Sequence, residues 1–91
     1  MTKQEKAEKL VADILALNLK RRVVSGMRSK LIPEDLRETL IKVGNNVAST
    51  WGATCFDFEI NAKDRQLLVF CAGNGEHFPA LVEFDELAEE M

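Results

Sequence analysis

Apolar residues recur at helical spacing twice, and then the period changes to two after Gly52. In the first segment Ala7, Leu10, Val11, Ile14, Leu15 and Leu17 form one stripe. Lys3, Glu5, Lys6, Glu8, Lys9 and Asp13 fall largely on the other side, so the segment predicts an amphipathic helix. Thr2 suits its N-cap, and Glu5 three residues later completes a capping box. Its end is open between Asn18 and Val24, with Gly26 as a natural C′ residue for the longer version.

The second helix is expected to begin at Pro33, which suits the first helical position, with Glu34 and Asp35 complementing the positive pole. Leu31 and Leu36 can form a hydrophobic staple across that start. Leu36, Leu40, Val43 and Val47 make its stripe, with Ile41, Ala48 and Trp51 beside it. Gly44 weakens the middle of the pattern and suggests close packing, and Gly52 is the expected stop.

In "ATCFDFEIN" Phe56, Phe58 and Ile60 alternate with Asp57 and Glu59, which predicts a half-buried strand with one wet face. A polar turn, "AKDR", leads to "QLLVFCAG", apolar on both faces and therefore an inner strand. Three- and four-residue turns both fit, and the three-residue register sets Cys55 opposite Cys71. Two core thiols that never meet is the expected outcome. Leu67 and Val69 are expected on the sheet face opposite Phe56 and Phe58. Asn74-Gly75 is a strong hairpin signal. After it, "HFPALVEF" fits an edge strand that tolerates Pro79, or a helix opened by Pro79. The favoured reading is a strand to Phe84 and then a helical turn capped by Asp85. The predicted class is α+β: two N-terminal helices, a small antiparallel hairpin or three-stranded meander, and a short acidic C-terminal helix.

At 91 residues with 46% hydrophobic content, the chain is expected to form a single small globular domain over residues 1–91. The N-terminus alternates charges without the apolar centre of a signal peptide, and no apolar run spans a bilayer, so a cytoplasmic protein is expected. Two cysteines are too few for a disulfide scaffold.

Charge changes this picture more than composition does. All 12 Lys and Arg residues lie before residue 66, while residues 66–91 carry six acids and no cation. Lys20, Arg21, Arg22, Arg28 and Lys30 cluster between the two helices without an acid. A helix end that such cations stabilise, with their stems covering apolar surface, explains the cluster without a ligand.

Candidate chemistry is sparse. His77 is the only histidine, and the Asn-Gly turn sets it opposite Ala72 with Cys71 on the other face, which argues against a Cys–His nucleophile. Ser25, Ser29 and Ser49 have no local base. Neither metal-ligand spacing nor a phosphate loop is present, so no enzyme, cofactor, metal or small-molecule ligand is expected. The first functional expectation is therefore binding to another protein, as an adaptor, inhibitor, chaperone-like accessory or regulatory subunit. Glu83, Asp85, Glu86, Glu89 and Glu90 would form the contact surface, with the basic segment a second candidate. The alternative is a winged-helix-like nucleic-acid binder. It would use Lys20, Arg21, Arg22, Arg28, Lys30, Arg37 and Lys42, with Asn45 and Asn46 on the groove helix and Lys63 and Arg65 on the wing. A net charge of −3 counts against it. A homodimer through the sheet or the first helix is also expected, because the sheet has a second apolar face to cover.

Overall fold

The computed structural model describes residues 1–91. Helix α1 (Lys3–Ala16) is followed by a short strand β1 (Val24–Ser25) and helix α2 (Glu34–Ser49). Strands β2 (Thr54–Asn61), β3 (Gln66–Gly73) and β4 (Glu76–Glu83) come next, and a 3-10 helix, η1 (Phe84–Glu90), ends the chain. The sheet is antiparallel in the order β1-β2-β3-β4. The class is α+β, as the periodicity predicts.

Local signals account for most element ends. The Thr2 hydroxyl accepts from the Glu5 N–H, and the Glu5 carboxylate accepts from the Thr2 N–H, which forms the expected capping box. That interaction with Thr2 also holds the Glu5 carboxyl below its ordinary pKa. The shorter version of α1 is the real one, because Asn18 turns left-handed at φ 50 and breaks the helical path. Gly26 is therefore not a helix stop. The cations from Lys20 onward also lie beyond the last turn of α1, which holds no basic residue.

Helix α2 starts one residue later than predicted, with Pro33 outside it as the cap residue. Ile32, not Leu31, is buried at this entry; Leu31 is 59% exposed, so the predicted staple does not form. Gly44 allows the predicted close approach, since a β-carbon there would come within 2.6 Å of Cys55 Sγ.

The β2–β3 hairpin uses both registers that the sequence allows. Near the turn, Asn61 pairs with Gln66, Ile60 with Leu67 and Phe58 with Val69, which leaves four residues in the loop. Farther out, Cys55 pairs with Cys71 and Thr54 with Ala72, the three-residue register. A β-bulge between Cys55 and Asp57 joins the two and leaves Phe56 unpaired. Three expectations change as a result. Phe58 and Ile60 share the buried face with Leu67 and Val69 instead of opposing them. Phe56 leaves that face and is 51% exposed. The two thiols meet as cross-strand neighbours.

Asn74 and Gly75, with φ 55 and 76, form a two-residue turn of the primed type. Pro79 lies in β4, the edge strand, where a missing N–H breaks no ladder. The strand ends at Glu83, and η1 follows without a side-chain cap, so Asp85 is its second residue and not its cap. Phe84 and Leu87 anchor η1 in the core.

The buried residues form one continuous cluster on the inner sheet face, with α2 over β2 and β3, and α1 closing on η1. Phe58, Ile60, Leu67, Val69 and Cys71 are fully shielded there. No part of the chain covers the outer face.

β1 is the element that the sequence analysis misses. Val24 and Ser25 pair with Ile60 and Glu59, and the Gly26 N–H continues the ladder to the Phe58 carbonyl at 2.7 Å. Arg37 holds the rest of the connection. Its guanidinium donates to the carbonyls of Gly26 (2.9 Å), Ser29 (2.6 Å) and Ile32 (3.1 Å), and to the Glu34 carboxylate (2.6 Å).

Burial raises the pKa of the Cys55 and Cys71 thiols above 9.0, the ordinary thiol value, and in Cys55 an accepting Asp57 carbonyl partly offsets the rise. A raised pKa means that the folded protein favours the neutral thiol. The associated stability is fully present below the ordinary thiol pKa and declines as pH rises through the raised folded values. The melting temperature should therefore fall above about pH 9, and Cys55→Ala with Cys71→Ala should flatten that alkaline limb. Thermal melts from pH 7 to 10.5 check this; an equal alkaline fall in the double variant would exclude the thiols as its cause.

Candidate functional site

The predicted acidic contact residues divide between two surfaces. Glu83 ends β4 half-buried on the outer sheet side, where its carboxylate accepts from the Gln66 amide at 3.0 Å. The chain then turns at buried Phe84, so Asp85, Glu86, Glu89 and Glu90 are carried on η1. Glu86 and Glu89 are exposed and form no ion pair. Asp85 faces the Arg65 guanidinium at 3.4 Å, and that guanidinium lies 5.7 Å from the centre of the Phe84 ring. The Glu90 carbonyl accepts from the Asn46 amide at 2.8 Å, which ties the end of η1 to α2.

Beside these acids runs a groove of about 450 Å³ between α1 and η1. Val11, Ala12, Leu15, Phe84 and Ala88 supply apolar wall, and Glu8 and the paired Asp85 and Arg65 are its charged lining. Leu15, one of the lining residues, is 45% exposed. The sequence shows the α1 stripe and the acidic end separately. Only the tertiary fold joins them in one groove.

The residues proposed for a nucleic-acid contact also separate. Arg37 is held in the α2 connection by three backbone carbonyls. Asn45 accepts from the Cys55 N–H at 2.8 Å, and Asn46 is tied to Glu90, so the groove-reading positions of α2 are engaged within the fold. Lys42 is exposed. Arg22 pairs with Asp64 at 3.0 Å, an interaction that holds the Asp64 carboxyl below its ordinary pKa. Lys20, Arg21, Arg28 and Lys30 are exposed without an ion pair. Arg21 and Arg28 line one hollow beside Val23 and β1. Lys63 is exposed at the β2–β3 turn, and Arg65 is engaged with Asp85.

His77 lies opposite Ala72, as the turn predicts, and its ring centre is 5.4 Å from that of Phe56. Phe56 in turn lies 6.2 Å from Phe70. This aromatic group is on the outer sheet face, whereas both thiols face inward. The group depends on the bulge, a tertiary feature without a local sequence signal. Trp51 follows α2 and meets Phe78 edge-on at 5.6 Å. No group of three or more His, Cys, Asp or Glu side chains converges on a metal-sized site. No helix is long and apolar enough to cross a membrane.

No known family model, curated protein or solved structure matches the chain.

Proposed function

We propose that the protein is non-catalytic and acts by binding another protein, with the α1–η1 groove and the acids of η1 as its contact surface. The groove carries this reading: an apolar trough beside Leu15 and Phe84, edged by Glu8 and by the Asp85–Arg65 pair, with Glu86 and Glu89 unpaired on the same short helix. Such a trough suits an apolar side chain from a segment that also bears cations. Burial of the apolar part contributes affinity, and the acids speed encounter and select against acidic partners. η1 can present its charges rigidly because Phe84 and Leu87 are buried beneath it.

The test is capture from the native cell with the wild-type protein and with Leu15→Asp combined with Glu86→Lys and Glu89→Lys. All three positions are exposed, so the variant should keep the wild-type circular dichroism and melting cooperativity. Recovery of a wild-type-specific partner should drop at least about tenfold, the effect of losing roughly 1.4 kcal/mol. Undiminished recovery by a folded variant would remove this groove from the reading.

A second reading, nucleic-acid binding, draws support from Lys20, Arg21, Arg28 and Lys30, four unpaired cations in one exposed connection. Anisotropy titrations with duplex and single-stranded DNA and RNA at two salt concentrations separate the readings. Salt-sensitive binding that Arg21→Ala with Arg28→Ala abolishes would favour the second.

A further inference from the structure

We infer that the outer face of the sheet is a homodimer interface, on which a second copy of this chain packs sheet to sheet. The surface is separate from the α1–η1 groove. It consists of alternate positions on each strand, those turned away from the helices. Leu68 and Phe70 are half-buried on β3, and Pro79 and Leu81 are exposed on β4. Phe56 adds an aromatic ring from the bulge, and Val23 borders Leu68 and Leu81 across a small crevice of about 90 Å³. Val23, Phe56 and Leu81 are 43%, 51% and 56% exposed. An antiparallel sheet with one face on the core ordinarily shows polar residues on the other; β2 does so here with Thr54, Asp57, Glu59 and Asn61, whereas the middle of β3 and β4 presents the apolar row Leu68, Phe70, Pro79 and Leu81.

Charge selects the second copy as the occupant. On the β1 flank of this face, Arg21 and Arg28 are unpaired beside Val23. On the β4 flank stands Glu83, which meets an amide and no cation. The strand order β1-β2-β3-β4 places these opposite charges at opposite edges of one face. A twofold axis between two such sheets, parallel to the strands, lays β1 of each copy over β4 of the other. Both rims then match cation to acid, and β2 of each copy lies over β3 of the other, which sets the Phe56 ring of one copy against the Leu68 and Phe70 row of its partner. This is the self-complementarity that a twofold interface requires, and aligned sheet packing allows it.

The area agrees with a reversible dimer. Eight-residue strands at about 3.3 Å per residue, spaced about 4.8 Å apart, give a face of roughly 400–500 Å² per copy. Two copies bury roughly 800–1,000 Å², the range of weak and transient interfaces. Glu59 lies half-buried on this face without a cation and opposes association, so Glu59→Gln should tighten the dimer.

Sedimentation velocity on the full chain, from about 5 µM to 1 mM, tests the inference. The mass should rise with concentration from 10.2 kDa toward twice that value. Phe70→Asp should hold it at the monomer value while the melt stays cooperative; if that variant does not fold, Leu81→Asp, at an exposed position, replaces it. Arg21→Glu with Arg28→Glu should weaken the dimer at least tenfold, and so should Glu83→Lys in a separate protein. An equimolar mixture of those two variants should regain a dimer, because each rim of the mixed pair is again opposite in charge. A wild-type monomer at 1 mM would overturn the proposal, and so would a dimer insensitive to the outer-face variants or a mixture that stays monomeric. A monomeric wild type whose captured partner is lost with Phe70→Asp would assign the face to a different protein, which also overturns it. The Leu15, Glu86 and Glu89 variant should dimerise normally, so failure here and failure of the groove reading are distinguishable.

Discussion

Arg37→Ala should lower the stability of the protein by about 2–4 kcal/mol, since hydrogen bonds to a charged group each contribute on the order of 1.5–3 kcal/mol and their loss is only partly offset by water. The residue reads as one cation in the helical pattern of α2, yet its side chain is only 18% exposed. Its three backbone acceptors, the carbonyls of Gly26, Ser29 and Ile32, span the connection between β1 and α2. That connection contains little regular structure of its own, so these bonds stand in for a ladder. For a chain of this length, a loss of that size lowers the melting temperature by roughly 10–20 °C. Arg37→Lys should recover less than half of the loss, because a single ammonium cannot reproduce the planar fork that reaches several carbonyls at once. Thermal and urea melts of the three proteins check this. A lysine variant as stable as wild type would show that charge alone is needed at the position.

Gly26→Ala should cost about 3 kcal/mol, at the upper end for overpacking a core. A β-carbon at Gly26 would overlap the Phe58 ring. Neither group can retreat easily: Phe58 is fully buried, and the Gly26 N–H is bonded to the Phe58 carbonyl at 2.7 Å. The shorter side chain of Phe58→Leu removes part of the obstruction. Combining the two substitutions should therefore destabilise by less than the sum of the single effects, with a coupling of roughly 1 kcal/mol or more. Urea melts of the four proteins in this cycle provide the measurement, and strict additivity would mean that the Phe58 ring is not what excludes the β-carbon.

Both effects arise where sequence analysis goes astray, in residues 18–32. Gly26 suits a helix stop by its chemistry, but Asn18 ends α1 first and frees the glycine for packing. β1 is two residues long and has no periodicity to reveal it; its partner, β2, lies over 30 residues away. The features that were legible are local. Thr2 and Glu5 cap α1, Asn74-Gly75 turns the second hairpin, and Pro79 marks an edge strand. Each depends on backbone geometry within a few residues. The exposure of Glu86 and Glu89 was legible for the same reason, as polar positions beside an apolar stripe. The groove beside them was not, because α1 and η1 come from opposite ends of the chain and meet only when the core closes. Extending one register along the whole hairpin sets Leu67 and Val69 on the wrong face relative to Phe58. A one-residue slip exchanges the faces of a strand, and the bulge introduces that slip partway along.

The same bulge separates what the core requires of β2 from what the strand's length supplies. With Phe56 removed, Cys55 would precede Asp57 directly, and their partners Cys71 and Phe70 are already consecutive on β3. A chain one residue shorter would thus pair without interruption and keep Cys55, Phe58 and Ile60 facing inward. Phe56 is, in this sense, a surplus residue of the hairpin. Its ring beside Phe70 and His77 marks a place where this chain can lose a residue, and with it an external aromatic contact, without repacking the interior.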